Sequence, residues 1–370
     1  MINQVMIGYL FVLGMVGIVM SLVPYMTEKS LIFGVRVPIE HVKDKSILRY
    51  RALFTVSVLL VTLVLVLLGF VLFNSHEVVV TLFPLLIIAF SFAVYLKIHY
   101  RIEGTKKMEN WVYASADKTT INFIPDSYKS FPWIYIVPGI SLIVTIFIIG
   151  LADYSFIPAR FPTHFGLNGP NQFATKTYFT VFTIGLIAII INVFLYLFSF
   201  FIYRIPLKIT NSDSSQKMRA DAFRTRIAIM IALTPLFVNT TMLISALYEW
   251  NIIPYSNDSL SLILAPIIAL LVLLGYIMMR TGQMGSNLNL GAESANAKGD
   301  AIPSGSGIKD DDSLWRAGII YVNKNDNRLL VPKRFGVGYT FNFGKKISFV
   351  LLALILLIPV TIIFIVLLFH

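Results

Sequence analysis

The sequence predicts an all-α integral membrane protein: about eight transmembrane helices, both termini outside, and a small cytoplasmic β-ribbon before the last helix. Three observations predict it. Hydrophobic residues make up 57% of the 370 residues and mean hydropathy is +0.78, well above the composition of soluble domains. Eight apolar stretches each approach the ~20 residues that a hydrocarbon core of ~30 Å requires at a helical rise of 1.5 Å. Finally, 28 of the 30 Lys and Arg fall in alternate connections between those stretches.

The predicted spans are 2–25, 52–73, 78–96, 132–152, 178–203, 227–248, 259–279 and 347–369. Segments 26–51, 97–131 and 204–226 hold six basic residues each, and 280–346 holds ten. Connections 74–77 and 249–258 hold none, and 153–177 holds only Arg160 and Lys176. Basic loops stay on the cytoplasmic side, which places the N-terminus and the C-terminus outside. Glu77, Asp153, Glu249 and Asp258 are the acidic residues left on the outer side. The organisation that follows is 1–131, three spans with cytoplasmic loops; 132–203, a helix–outer loop–helix module; and 204–280, spans six and seven. After these come 281–309, a Gly/Ser/Asn-rich flexible linker; 310–346, a small cytoplasmic β-rich unit; and 347–370, the last span.

Composition also excludes functions. The net charge of +11 is read as topology, with basic loops beside anionic headgroups, so no nucleic acid partner is expected. With zero Cys there is no disulfide frame, thiolate metal site or Cys nucleophile. The first apolar run lacks a basic n-region and an A-x-A-like cleavage site, so it reads as a retained span. Span interiors carry no Asp, Glu, Lys or Arg, which argues against a proton-coupled pump or voltage sensor. Asn192 and Asn239, the latter after Thr234-Pro235, are the polar groups within spans. They read as glue between helices, with a midplane solute site as the alternative.

Two hydrophilic regions exceed what connection needs. In the outer loop, Pro158, Pro162 and Pro170 stiffen the backbone while Gly166 and Asn168-Gly169 permit tight turns, so 157–176 should fold into a compact cap. Its candidate ligand contacts are Phe161, Pro162, His164, Phe165, Asn168, Gly169, Asn171 and Lys176. The five His show no H-x-x-x-H or H-E-x-x-H spacing, so neither a metal nor a cofactor is expected, and His164 reads as a loop anchor or ligand contact. In the cytoplasmic unit, 318–323, 328–332 and 339–343 read as three strands joined by turns at 324–327 and 333–338. Trp315, Tyr321, Asn323, Lys333, Arg334, Phe335 and Asn342 are its candidate contacts for a protein partner, with interfacial anchoring the alternative for Trp315, Lys333 and Arg334. Phe33-Gly-Val-Arg-Val-Pro38 reads as structural, its Arg36 snorkelling to headgroups or pairing with a carboxylate.

Phe161-Pro-Thr-His-Phe-Gly-Leu-Asn-Gly-Pro-Asn171, closing with Phe173 and Lys176, resembles the P-x-H-[FW]-x-x-x-G-x-[DN] loop of an uncharacterised bacterial membrane domain. That domain is shared with the SdpI-type toxin-immunity and signalling proteins, many of which carry Asp where this chain has Asn171. Asp312-Ser-Leu-Trp-Arg-Ala-Gly318 through Asn342-Phe-Gly344 is similar to a second uncharacterised domain often found with the first. Phe33–Pro38 is similar to the G-[IV]-R-x-P element of SdpI-type proteins. The resemblance implies a multi-pass protein of a bacterial cell membrane, in SdpI-type relatives one that counters an exported peptide and sequesters a cytoplasmic repressor. The function expected is therefore non-enzymatic immunity or envelope sensing. Its partners would be the lipid bilayer, an exported peptide or envelope ligand outside, and a protein inside. The alternative is a small-solute transporter. With no G-x-S-x-G and no zincin motif, an enzyme is not expected.

Overall fold

A computed structural model describes the chain except residues 1–3, 73–77, 112–119, 124–129, 167–168, 206, 211–213, 257–258, 289–310 and 370. Its helices are α1 (Gln4–Met26), α2 (Lys45–Leu72), α3 (Val78–Met108), α4 (Val137–Ala152), α5 (Tyr178–Tyr203), α6 (Ser214–Glu249), α7 (Ser259–Thr281) and α8 (Lys346–Phe369). The first seven contain apolar stretches long enough to cross a membrane by length and composition. Among the residues whose side chains are described, α8 contributes a shorter apolar helix, Lys346–Thr361, within a helix of 24 residues. Helix α5 coincides with its predicted span, whereas α2 and α6 begin earlier than predicted and α3 runs on to Met108. Hydropathy registers only the apolar part of a helix, and these extra turns carry Lys45, Arg49, Arg101, Lys106, Arg219 and Arg224.

The helices group into two three-helix units. Helices α1, α2 and α3 pack on one another, as do α4, α5 and α6, and α7 touches both α1 and α6. The first unit's core joins Leu13, Phe54, Val58, Ile87 and Tyr95 with Phe33 from the α1–α2 connection. The second unit is filled at one end by Phe223, Ile227 and Tyr203 and at the other by Ile146, Phe182 and Trp250. In lipid, exposed Leu, Val and Phe on the outer faces are expected, because the solvent there is as apolar as the side chains.

Short antiparallel strand pairs cap the bundle. The pairs are β1 (Leu31–Ile32) with β2 (Val35–Arg36), β3 (Thr120–Phe123) with β6 (Leu207–Thr210), and β4 (Arg160–Gly166) with β5 (Gly169–Thr175). The 311–345 unit contributes β7 (Trp315–Arg316) with β8 (Ile320–Tyr321), and β9 (Leu330–Pro332) with β10 (Tyr339–Phe341). The expected strands at 328–332 and 339–343 do pair. The expected 318–323 strand is shortened to β8 and turns back on β7, so two hairpins replace one ribbon, joined by a Tyr321–Asn342 bridge. The reason is the three-residue β7–β8 loop, where Ala317 (φ 49°) and Gly318 (φ 67°) are both left-handed and the Ile319 N–H donates to the Arg316 carbonyl (3.2 Å), which reverses the chain at once.

This unit is docked on the helices. Ile319 and Phe335 join the core of the first three-helix unit, while Leu330, Val337, Tyr339 and Phe341 join that of the second. Gln283, just past α7, donates to the carbonyls of Lys333 (2.9 Å) and Gly338 (3.0 Å) and accepts from the Gly338 N–H (2.8 Å). The unit therefore ties both halves and α7 together at one end. The tightest point is where its β7–β8 turn meets the β1–β2 turn, in which Phe33 (φ 45°) and Gly34 (φ 79°) are again both left-handed. A Cβ on Gly34 would stand 2.8 Å from the Gly318 Cα. We therefore expect Gly34→Ala to cost about 1–3 kcal/mol and to expose the 311–345 unit to limited proteolysis. Gly104→Ala, which meets nothing within 4 Å, should be neutral or stabilising in the same thermal and proteolytic assays.

Candidate functional sites

At the end of the bundle away from the docked unit, the β4–β5 hairpin is rooted in the core. Phe161 is fully buried with Ile157, Phe182 and Trp250. Lys176 donates to the Ile157 carbonyl (2.9 Å) and lies over the Tyr154 ring at 4.7 Å, so its charge is held at the root. The side chain of Pro162 is half-buried, opposite Phe173. The register slips between Pro162 and Phe165, which leaves Thr163 in a bulge. Phe165 stacks on Tyr255 with ring centroids 4.9 Å apart. His164 is exposed, and Phe173 is 46% exposed with the Arg160 guanidinium 5.6 Å from its ring centre. Gly169 and Asn171 lie in β5, and Asn168 falls outside the described residues. Of the residues singled out by sequence, His164 and Phe165 thus stand above a root made by Phe161 and Lys176. Phe173 and Gln172 are exposed beside them.

Between the two ends, Asn192 and Asn239 meet. Asn192 Nδ2 donates to the Ala188 carbonyl (2.7 Å) and Asn239 Oδ1 (3.1 Å). Asn239 Nδ2 donates to the Gly139 carbonyl (2.8 Å) and Asn192 Oδ1 (3.3 Å). All four amide N–H groups therefore have protein acceptors, and α4, α5 and α6 are joined at one level. Gly139 makes this possible, since a Cβ there would lie 2.2 Å from the Tyr196 hydroxyl.

At the docked end, charges converge from distant parts of the chain. Arg334 is 2% exposed and donates to the Gly34 carbonyl (3.0 Å); it also pairs with Asp311 and Asp312. Arg36, 3% exposed, reaches Asp311 at 3.4 Å, and its backbone N–H points at Asp312. Lys106 Nζ lies 2.6 Å from Asp312. Burial alone would raise the Asp312 carboxyl, but the charges of Arg334 and Lys106 outweigh it and hold the group below its usual range. Trp315 donates its indole N–H to Asp311 (3.3 Å) and lies under the Arg334 guanidinium at 5.0 Å. Phe335 sits against Tyr95 (4.2 Å) and Phe33 (5.8 Å). Tyr95 donates to the Ala317 carbonyl (2.9 Å) and His99 Nδ1 to that of Phe33 (2.8 Å). A cleft of about 670 Å³ opens beside these turns.

The rest of the unit is stapled internally. Asn342, fully buried, accepts from the N–H groups of Asn323 and Gly344 (both 3.0 Å) and donates to the carbonyl of Asn323 (2.8 Å) and, at longer range, to those of Asp326 and Arg328. Asn323 also donates to the Tyr321 hydroxyl (3.0 Å), which donates to Asp326 (3.1 Å). Lys333 is exposed. Trp315, Tyr321, Asn323, Arg334, Phe335 and Asn342, singled out as partner contacts, are thus engaged inside the protein. Sequence reading missed Asp311, Asp312, Lys106, Tyr95 and His99 as members of this cluster. The only available signal was Arg36, read as snorkelling or paired with an unnamed carboxylate.

Two family models match parts of the chain: a domain of unknown function (DUF1648) over residues 141–189 and a family of unknown function (DUF5808) over 324–348. The first spans most of α4, the β4–β5 hairpin and the start of α5. The second spans the turn stapled by Asn342, β9, β10 and the start of α8. No curated protein and no solved structure matches.

Two outcomes test these networks. Asn192→Leu and Asn239→Leu should each cost about 1–3 kcal/mol by leaving a buried partner unpaired, and the double variant less than their sum, in a thermal-midpoint cycle. Asp326 is drawn to about 2: burial raises it, but hydrogen bonds and charge from Arg328 prevail. A depressed carboxyl stabilises above its unfolded value, so that contribution should fade as pH falls from about 4 towards about 2. Asp326→Asn should flatten acid unfolding over that window.

Proposed function

We propose that this chain is a non-enzymatic bacterial cell-membrane protein of the SdpI-like immunity or envelope-sensing kind. It crosses the bilayer eight times with both termini outside, and α8 is the eighth span. The β4–β5 hairpin meets an exported peptide or envelope ligand, and the 311–345 unit gives the cytoplasmic response. The observation that carries this reading is the hairpin itself. Phe161 and Lys176 lock its root while His164, Gln172 and Phe173 stand exposed, on the face opposite a second ordered unit. The charge rule supports the sidedness, since the loops it assigns to one side (26–51, 97–131, 204–226, 280–346) meet one another through Arg36, Lys106 and Arg334, the β3–β6 pairing and the Phe223–Tyr339 contact. A small-solute permease using Asn239 gains no support, because the amide donors of the Asn192–Asn239 pair already have protein acceptors.

Sidedness is checked by thiol labelling, for which the chain's lack of Cys gives a silent background. Gln172→Cys should react with an impermeant maleimide in intact cells, and Lys324→Cys only after permeabilisation; the reverse pattern rejects the topology. For function, His164→Ala and Phe173→Ala at unchanged membrane levels should lower survival of a producing strain under envelope-active peptides. Survival equal to wild type removes the outer-ligand role.

A further inference from the structure

The cleft at the docked end lies beside the Arg334–Asp312 charge cluster, and its chemistry is specific. Its volume of about 670 Å³ falls within the ~300–1,000 Å³ of small-ligand sites. It is bordered by His99, Lys106, Lys107, Ser313, Trp315 and Arg334. Glu103 and Asp312 also border it, so Lys106, Lys107 and Arg334 leave the lining one net positive charge, with Arg36 and Asp311 paired behind it. Glu28 approaches Arg36 only to 4.0 Å, and Lys107 is balanced by Glu103.

Donors remain around the cavity. Arg334 keeps a buried Nε–H without an acceptor. Lys107 Nζ engages Glu103 alone among the described residues, which leaves two of an ammonium's three N–H groups, and the Ser313 side chain is exposed. One acceptor is equally fixed. His99 Nδ1 lies 2.8 Å from the Phe33 carbonyl. A carbonyl only accepts, so Nδ1 carries a proton, and in the neutral ring Nε2 presents a lone pair. No described residue engages Nε2. A ligand suited to this lining carries an anionic head for Lys107, Ser313 and Arg334, and a hydroxyl to donate to His99.

Position narrows the source. Helix α3 first meets charge at Lys97 and Arg101, so His99 to Lys107 lie where the apolar span ends and headgroups begin. Trp111 and Trp315 border the same cleft, the side chain type that favours this level.

We propose that this cleft binds a phosphate bearing a donor hydroxyl, supplied by the headgroup of an anionic phospholipid or by a soluble phosphate. Bound there, the ligand touches α3 through Lys107 and the 311–345 unit through Ser313 and Arg334, and so holds the unit on the first three helices. The assignment rests on the membrane reading only for the lipid source.

The purified full chain would be placed in phosphatidylcholine nanodiscs with rising phosphatidylglycerol, and separately in detergent with rising inorganic phosphate. Retained ligand is read by native mass spectrometry and the thermal midpoint alongside it. Saturable retention of one equivalent is expected, weakened about tenfold by Lys107→Glu, which removes a charge-assisted hydrogen bond. Ser313→Trp, which fills the mouth from an exposed position, should weaken it similarly. Both variants should keep the ligand-free midpoint. Retention in the lipid arm alone assigns a headgroup, and in the phosphate arm alone a soluble ligand. Absence of saturation in both arms, or equal retention by wild type and both variants, overturns the site. The maleimide pattern of Lys324→Cys reports sidedness independently, so failure of the topology and failure of the site are distinguishable.

Discussion

The structure depends on one backbone contact, the meeting of the Phe33–Gly34 and Ala317–Gly318 turns. Two left-handed hairpin tips, 284 residues apart, come together closely enough that neither glycine has room for a side chain. Such proximity leaves carbonyls facing a partly buried space, where an unpaired polar group is costly. The chain meets this with three side-chain donors: Tyr95 to Ala317, His99 to Phe33, and Arg334 to Gly34. Two of the donors come from α3 and one from the docked unit. Ala317 is therefore held from α3 and Gly34 from the docked unit, while His99 holds Phe33 from its own side. Phe33 and Ala317 adopt positive φ without being glycine, a strain of order 1–3 kcal/mol each that only this mutual support sustains.

The charge cluster follows from that contact. Arg36 and Arg334 are almost wholly removed from water, and a buried guanidinium without a partner costs several kcal/mol. Asp311 and Asp312 answer both, and they lie immediately after the segment 289–310. Pairing of this kind confers register more than stability. Apolar burial through Phe335 would tolerate a slide of the unit, whereas five charges on four separate stretches of chain fit only one placement. Once that placement is set, β9 and β10 are brought onto α5 and α6, and Gln283 locks the end of α7.

How far the sequence revealed this varies with the range of the interaction. Spans were legible because an apolar run of ~20 residues is a local property; α5 matched to the residue. The helix ends were not, since polar turns of α3 and α6 continue past the apolar window with no local signal. The β4–β5 pairing was read only as a cap, because Pro162 and Pro170 argue against strands. In a hairpin of two strands every residue lies on an edge, and proline is tolerated there. The pairing of β3 with β6 joins two loops over 80 residues apart, so nothing near either strand announces it. The Asn192–Asn239 pair was legible as glue, since each buried amide needs a partner, but its third member, Gly139, carries no polar side chain to mark it. At the docked end Arg334 and Phe335 read as partner contacts; that their partners are the chain's own α3 and β1–β2 turn is long-range information.

A coupling between the two faces has a physical route in this arrangement. The β4–β5 hairpin is rooted on α4, α5 and α6 through Phe161, Ile146, Phe182 and Trp250, and those helices are tied midway along the bundle by the Asn pair. At the far end the same helices carry Leu330 and Tyr339 of the docked unit, which the turn contact binds to α1–α3. A tilt of the second three-helix unit relative to the first would be resisted at α7 and at the turn contact. At the turn contact the restraint is largely polar, with Asp311 and Asp312 about one quarter exposed. Polar contacts at an aqueous boundary weaken with ionic strength and with competing anions, whereas helix packing in lipid does not. The element most readily released is thus the charge latch, while the hairpin root and the Asn pair keep the transmembrane part intact.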